Sequence, residues 1–513
     1  MENLIVILDF GSQYTQLIAR KIRELHYYTE IYPYHTPVDE ITKLKPAGII
    51  LSGGPSSIYE EAAPRPDQSI LDLELPILGI CYGMQLLSDH FGGKVEASTK
   101  REYGKANLSV QTEDPFLDGL SPQSQVWMSH GDKVTEAASG FTTIATTNSS
   151  PHAVMRHEKK PIYAVQFHPE VQHTNEGQII LENFCSKICN AKPGWTMDNF
   201  AKSKIEEIRK IVGNEKVILG LSGGVDSMVT AKLIHDAIGD ALTCVYVDNG
   251  LMRLNETNAV VERFGQFFNI ELIVVDAGER FLSQLEAITD PEQKRKIIGK
   301  LFVEEFSRVS HEIGHHEFLA QGTLYTDVIE SVSVKGPSDT IKSHHNRVQE
   351  ILDLLEAGKV IEPLKELFKD EVRELGLTLG MPRELIFRHP FPGPGLAIRI
   401  IGQISKERLD ILRKADAIFL EELKSSGNYD KVWQAFAVFL PIQSVGVMGD
   451  KRTYENVIAL RSVESTDGMT ADFGRLPFDF LGQVSNRIIN EISGINRVVY
   501  DISSKPPATI EWE

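Results

Sequence analysis

Short unbroken apolar runs alternate, over the first 190 residues, with stretches whose apolar positions recur at helical spacing. LIVILDF (4–10), AGIILSGG (47–54), LPILGIC (75–81) and YAVQFHPE (163–170) read as buried strands, and TQLIARKIREL (15–25) and ILENFCSKIC (180–189) as amphipathic helices. A Pro/Gly-rich polar stretch, Asn190 to Asn199, interrupts the alternation and reads as a linker. A second series then begins: KVILGLS (216–222), LTCVYVD (242–248), IELIVVDAG (270–278) and EFLAQGTLYTD (317–327), with helical segments between the first three and after the last. From Phe387 to Gly402 the density of Pro and Gly marks another boundary. Beyond it lie a helix near 406–424 and the strand-like runs WQAFAVFLPIQSV (433–445) and YENVIALRSV (454–463).

This pattern predicts a multidomain α/β protein: two doubly wound α/β domains, 1–192 and 193–388, and a smaller C-terminal α/β domain, 389–513. The length of 513 residues exceeds what one hydrophobic core supports. Hydrophobic residues make up 42% and charged residues 24%, the balance of an ordinary water-soluble protein. Lys and Arg number 53 against 71 Asp and Glu, a net charge of −18, so nucleic-acid backbones and anionic membranes are not expected partners. Small nucleotides stay open, because a local nest of N–H groups binds phosphate inside an acidic protein. Four cysteines, Cys81, Cys185, Cys189 and Cys244, cannot staple a chain of this size, and no apolar run approaches the span of a bilayer. The expectation is a cytoplasmic protein with reduced thiols.

Composition says nothing of chemistry, but two strand ends do. Gly79-Ile80-Cys81-Tyr82-Gly83 lies between an apolar strand and the helical MQLLSDHFG. That is the setting of a nucleophile elbow, with cysteine in the nucleophile's place. At a helix N-terminus the backbone dipole favours a thiolate, and the N–H of Tyr82 faces a developing oxyanion. His168 and Glu170 close the strand IYAVQF; two residues apart in an extended segment, they share a face, so Glu170 can orient the base that polarises Cys81. Gly53 and Gly54, ending another strand, offer further N–H donors. Cys185 and Cys189 read as packing, with no histidine pair beside them to suggest zinc. His130, in SHGD, either shapes the pocket or caps a loop. Together SGGP, GICYGMQ and HPE resemble the class I glutamine amidotransferases. The resemblance implies a γ-glutamyl thioester on Cys81, ammonia release, a triad completed by His168 and Glu170, and Gln85 near the glutamine.

The second strand end is Ser222-Gly223-Gly224-Val225-Asp226-Ser227, between KVILGL and a helix. Two glycines let backbone N–H groups approach phosphate, and Ser222 and Ser227 add hydroxyls. Asp226 is out of place at an anion site unless a divalent cation bridges it to the phosphates, which suggests Mg²⁺. The ending GK[ST] of a P-loop is missing. The motif resembles the PP-loop ATP pyrophosphatases, which implies cleavage of ATP between the α- and β-phosphates and adenylation of an oxygen. Asp248, ending VYVD, serves adenosine or caps the strand.

An ammonia source joined to an adenylating site implies amination of an activated C–O bond. The C-terminal KPPATIEWE (505–513), GLMRLNE (250–256), GTLYTDVIES (322–331), SHHN (343–346) and FPGPGLAIR (391–399) resemble the GMP synthetase family over essentially the whole chain. That resemblance implies XMP, ATP and L-glutamine as substrates, with Arg497, Lys505, Thr509, Ile510 and Glu511 at XMP. It also implies a homodimer through the third domain, and a lid around Lys342, His344 and His345. A tRNA-thiolating enzyme, the other chemistry of such loops, calls for a basic surface. A sensor without turnover would lack the nucleophile or its base.

Overall fold

The computed structural model describes residues 3–268, 270–314, 316–332, 359–448, 451–465 and 470–513. Lys342, His344 and His345 lie outside the described residues. The chain divides into two compact units, Met1–Phe200 and Ala201–Glu513.

The first unit is built on a nine-stranded sheet. Its strands are β1 (Ile5–Asp9), β2 (Thr29–Pro33), β3 (Gly48–Leu51), β4 (Ile77–Ile80), β5 (Lys94–Val110), β6 (Gln123–Glu136), β7 (Phe141–Thr146), β8 (Val154–His157) and β9 (Ile162–Val165), in the order β2-β1-β3-β4-β9-β8-β7-β5-β6. Pairing is parallel from β2 to β9 and antiparallel from β9 to β6. The parallel core strands β3, β4 and β9 are buried at every position, which is why they read as continuous apolar runs. The antiparallel half carries alternating patterns instead, as along β6, and it extends the α/β sheet beyond the strands legible as apolar runs. Helices α1 (Thr15–Glu24) and α2 (Tyr82–His90) leave the carboxyl ends of β1 and β4. Strand β9 stops at Val165, so His168-Pro169-Glu170 occupies the turn beyond the strand rather than its extended end.

The second unit holds a five-stranded parallel sheet: β10 (Val217–Leu221), β11 (Leu242–Asp248), β12 (Glu271–Asp276), β13 (Phe318–Ala320) and β14 (Val360–Ile361), in the order β12-β11-β10-β13-β14. The order reverses at β10, so the crevice at its carboxyl end is the topological switch point. Helices α3 (Val225–Ile238) and α4 (Glu256–Phe267) follow β10 and β11. A four-stranded sheet of β15 (Gln434–Met448), β16 (Lys451–Glu464), β17 (Asp472–Phe473) and β18 (Ile495–Tyr500) packs with α5 (Lys406–Ser425) and α6 (Phe478–Glu491). One apolar cluster runs from Ile218 and Val245 through Leu396 and Phe419 to Phe439 and Ile488, so both sheets of this unit share a core. Among the described residues no helix is long and apolar enough to cross a membrane.

Candidate active sites

In the first unit, β4 delivers Cys81 to the cap of α2 with φ 52° and ψ −100°, a backbone conformation costly for any side chain. The glycines on either side make it possible. A Cβ on Gly83 would stand 2.4 Å from the carbonyl oxygen of Leu51, and one on Gly79 would stand 2.7 Å from the Gly83 carbonyl. Strand and helix therefore cross at backbone contact, and the Cys81 N–H is fixed on the Val165 carbonyl at 2.8 Å.

The turn after β9 brings the partners. His168 Nδ1 lies 2.6 Å from Glu170 Oε1; both side chains are buried, Glu170 completely. Burial opposes a charged ring, but the Glu170 carboxylate and a hydrogen bond with Cys81 outweigh it and hold the imidazole well above its ordinary range. The turn is pinned twice: the His168 N–H donates to the Trp127 carbonyl, and the Thr174 hydroxyl donates to the His168 carbonyl at 2.6 Å. Gly177 is held so tightly against Pro169 that a Cβ would come within 1.9 Å of its carbonyl. Gly53 faces the His168 ring, where a Cβ would lie 3.1 Å from Cε1, and Gly54 faces the ring of Tyr82. Gln85 donates from Nε2 to the Asp132 carbonyl at 2.9 Å. Gln166 was not legible as a site residue; it is fully buried with Nε2 3.9 Å from Cys81 Sγ. His130 is buried as well. Cys185 packs inside with its thiol pushed up by burial.

In the second unit, Ser222–Ser227 forms the turn from β10 into α3. Gly223 takes φ +75°, and the two hydroxyls face each other, Ser222 Oγ to Ser227 Oγ at 3.0 Å. The N–H of Gly224 donates to Ser222 Oγ at 3.2 Å, so the loop's donors bond within the loop. Asp226 stands on the first turn of α3, and both its oxygens accept from Lys369 Nζ at 2.7 Å. One carboxylate with two hydroxyls is a donor set that fits Mg²⁺, which takes a carboxylate or two and completes its shell with water and phosphate oxygens. Asp248 accepts from Thr257 Oγ1 at 2.6 Å and from the Gly250 N–H at 2.9 Å, the work of a strand cap.

The C-terminal segment is clamped by three buried cations that the sequence pattern did not reveal. Arg399 grips Glu511 with two nitrogens at 2.8 and 3.0 Å, and Gln434 Nε2 adds a third hydrogen bond. Arg461 donates to the carbonyls of Ile510 at 2.7 Å and Thr509 at 2.9 Å. Lys294 pairs with Glu513. Lys505 lines a cavity of about 790 Å³ together with Arg373, Arg383, Arg388, Lys431 and Asp472. Arg497 stands exposed on β18 and forms no ion pair among the described residues. The only visible signal for the buried cations is a basic residue inside an apolar run, Arg399 in LAIRII and Arg461 in VIALRSV.

Comparison with known proteins spans 99% of the chain. Residues 6–188 match the glutamine amidotransferase class-I family, residues 197–291 the NAD synthase family and residues 421–512 the GMP synthase C-terminal domain. A glutamine-hydrolysing GMP synthase of Nitratiruptor sp. is 60% identical over 513 residues, covering 99% of each chain. Those of Aquifex aeolicus and Chlorobaculum tepidum are 57% and 56% identical, again over 99% of each chain.

Proposed function

The chain belongs to the glutamine-hydrolysing GMP synthase family, and on that premise we propose how its residues divide the reaction between two sites. The enzyme is a carbon–nitrogen ligase. ATP, XMP, L-glutamine and water become AMP, diphosphate, GMP and L-glutamate.

The buried Cys81–His168–Glu170 constellation carries the reading. Cys81 Sγ attacks the glutamine amide carbon, and the N–H groups of Tyr82, Gly53 and Gly54 receive the oxyanion. His168 gives its proton to the departing ammonia, and a γ-glutamyl thioester remains. Water then cleaves the thioester to glutamate, with His168 taking the proton back. Gln85 helps hold the glutamine. In the second unit the 2-oxo oxygen of XMP attacks the α-phosphate of ATP and diphosphate leaves. Ammonia displaces AMP from C2, giving GMP. Adenylation matters because a weak neutral nucleophile cannot expel a bare oxygen.

Ser222, Gly223, Gly224, Val225 and Ser227 would cradle the phosphates. Asp226, with those hydroxyls, would hold Mg²⁺, which supplies positive charge against the phosphate oxygens. Lys505 and Arg497 neutralise the XMP phosphate, while Thr509, Ile510 and Glu511 border the purine. Glu511 has three hydrogen bonds from protein, which leaves a lone pair for a purine N–H. In functional terms, 1–192 is the amidotransferase domain, 193–388 the ATP pyrophosphatase domain and 389–513 the XMP-binding and dimerisation domain. The β15–β16 ribbon exposes Ile442, Val445, Val447 and Tyr454, apolar surface of the kind that a homodimer covers. The protein works in the cytoplasm without nucleic-acid or membrane partners.

Cys81→Ala tests the division. Glutamine-dependent GMP formation should fall by about 10³-fold or more, while synthesis from added ammonium continues. Loss of both activities in a folded variant would refute separate sites.

A further inference from the structure

Arg388 belongs to two places at once. Its Nη1 donates to the carbonyl of Gly223, inside the Ser222–Ser227 loop, at 3.2 Å. Its Nη2 pairs with Glu256 at the start of α4. The same side chain lines the 790 Å³ cavity that holds Lys505. Five cationic side chains face that cavity against three acidic ones, a local excess of positive charge in a chain of net charge −18. Such a wall selects an anionic occupant.

The Gly223–Gly224 peptide is where the two places meet. Arg388 holds its carbonyl, while its N–H bonds to Ser222 Oγ. In this arrangement the N–H is already engaged within the loop. Gly223, at φ +75°, sits where only glycine moves freely, so the peptide can turn once its carbonyl is let go. An anion in the cavity competes for the guanidinium, because a charged acceptor outbids a backbone carbonyl.

We propose that Arg388 is a positioning residue that reports occupancy of the cavity to the phosphate loop: the anionic acceptor draws the guanidinium from Gly223, and the freed peptide turns its N–H toward ATP. The inference rests on the reading of Ser222–Ser227 as the ATP cradle. It requires the acceptor to tighten ATP binding, and by thermodynamic reciprocity ATP to tighten acceptor binding equally.

The test is calorimetric titration of the full chain with α,β-methylene-ATP and magnesium, with and without XMP. In the wild type XMP should lower the analogue's Kd by about tenfold, and in Arg388→Ala by less than about twofold. Glutamine hydrolysis and the thermal midpoint serve as folding controls. Should Arg388→Ala not fold, Glu256→Gln, which keeps the guanidinium but loosens its anchor, must alter the same ratio. Tenfold coupling that persists in both variants, or a wild type with no coupling, overturns the proposal. A wild type that does not bind the analogue at all would instead overturn the cradle reading beneath it.

Discussion

One buried histidine in each unit, His168 and His389, has its charge set in the opposite direction to the other. His168, in the first unit, lies against the Glu170 carboxylate and is held protonated well above its ordinary range, although burial works the other way. His389, in the second, stacks on Tyr429 with ring centroids 3.8 Å apart and bonds through Nε2 to that residue's carbonyl at 2.9 Å. Burial pushes it down to about 4, and among the described residues no carboxylate forms an ion pair with it; the more distant Asp430 raises it only slightly. The contrast extends to the sites around them. The triad is assembled before any substrate arrives, its partners fixed by backbone contacts at Gly79, Gly83 and Gly177. The phosphate loop instead has its hydroxyls and N–H groups bonded to one another, and its carboxylate to an ammonium ion on a half-exposed lysine. Covalent chemistry needs atoms held in place, whereas a nucleotide brings its own charges and can complete its site.

The largest effect that separates the regions is expected at Asp226. Asp226→Ala removes the carboxylate proposed for Mg²⁺ and also strands Lys369. AMP formation should fall by about 10²–10³-fold, the loss typical when one group that stabilises transition-state charge is removed. Glutamine hydrolysis in the first unit should persist. Measuring AMP release and glutamate release on the same sample checks both; equal losses would mean that the two sites are not independent.

How much of this was legible in the chain follows from where each signal is stored. The elbow could be read because strand, turn and helix are local, and GxCxG concentrates the steric requirement in five residues. The His168–Glu170 pairing was also readable, although the strand ends three residues before the histidine and a turn produces the contact. The antiparallel half of the first sheet was less visible, since its pairing is decided by partners far along the chain. Lys369, Arg388, Arg399 and Arg461 could not be found by pattern. A cation inside an apolar run reveals that it needs a partner, but not which carboxylate or carbonyl the fold will bring, and those partners come from remote segments.

The next effect is one of stability. His389 keeps its neutral form when folded, whereas an unfolded histidine takes up a proton near 6.5. Between about 6.5 and about 4 the unfolded chain therefore binds a proton that the folded chain refuses, and stability is lost as pH falls through that window. The difference of two to three pKa units corresponds to about 3 kcal/mol at its lower end. Denaturant unfolding of the second unit at pH 7 and pH 4 should show a smaller acid loss in His389→Gln than in the wild type. Identical losses would remove His389 from the account.

The smallest effect sharpens the comparison on the other histidine. Glu170→Gln keeps the size and one hydrogen bond of the side chain but removes the charge that favours the imidazolium. The folded pKa of His168 should fall, and each unit of fall makes the protonated ring about tenfold scarcer at a fixed pH above it. Because His168 must hand a proton to the departing ammonia, the alkaline limb of kcat/KM for glutamine should move to lower pH. The drop at neutral pH should be far smaller than for loss of the nucleophile itself. The stability arising from the pair runs the same way: it is fully present below the unfolded value and disappears as pH rises through the folded one. Ammonium-supported synthesis has no use for this proton, so its pH profile should not move. If glutamine-dependent activity dropped uniformly at every pH, with its limbs unmoved, Glu170 would be acting on the position of the ring and not on its charge.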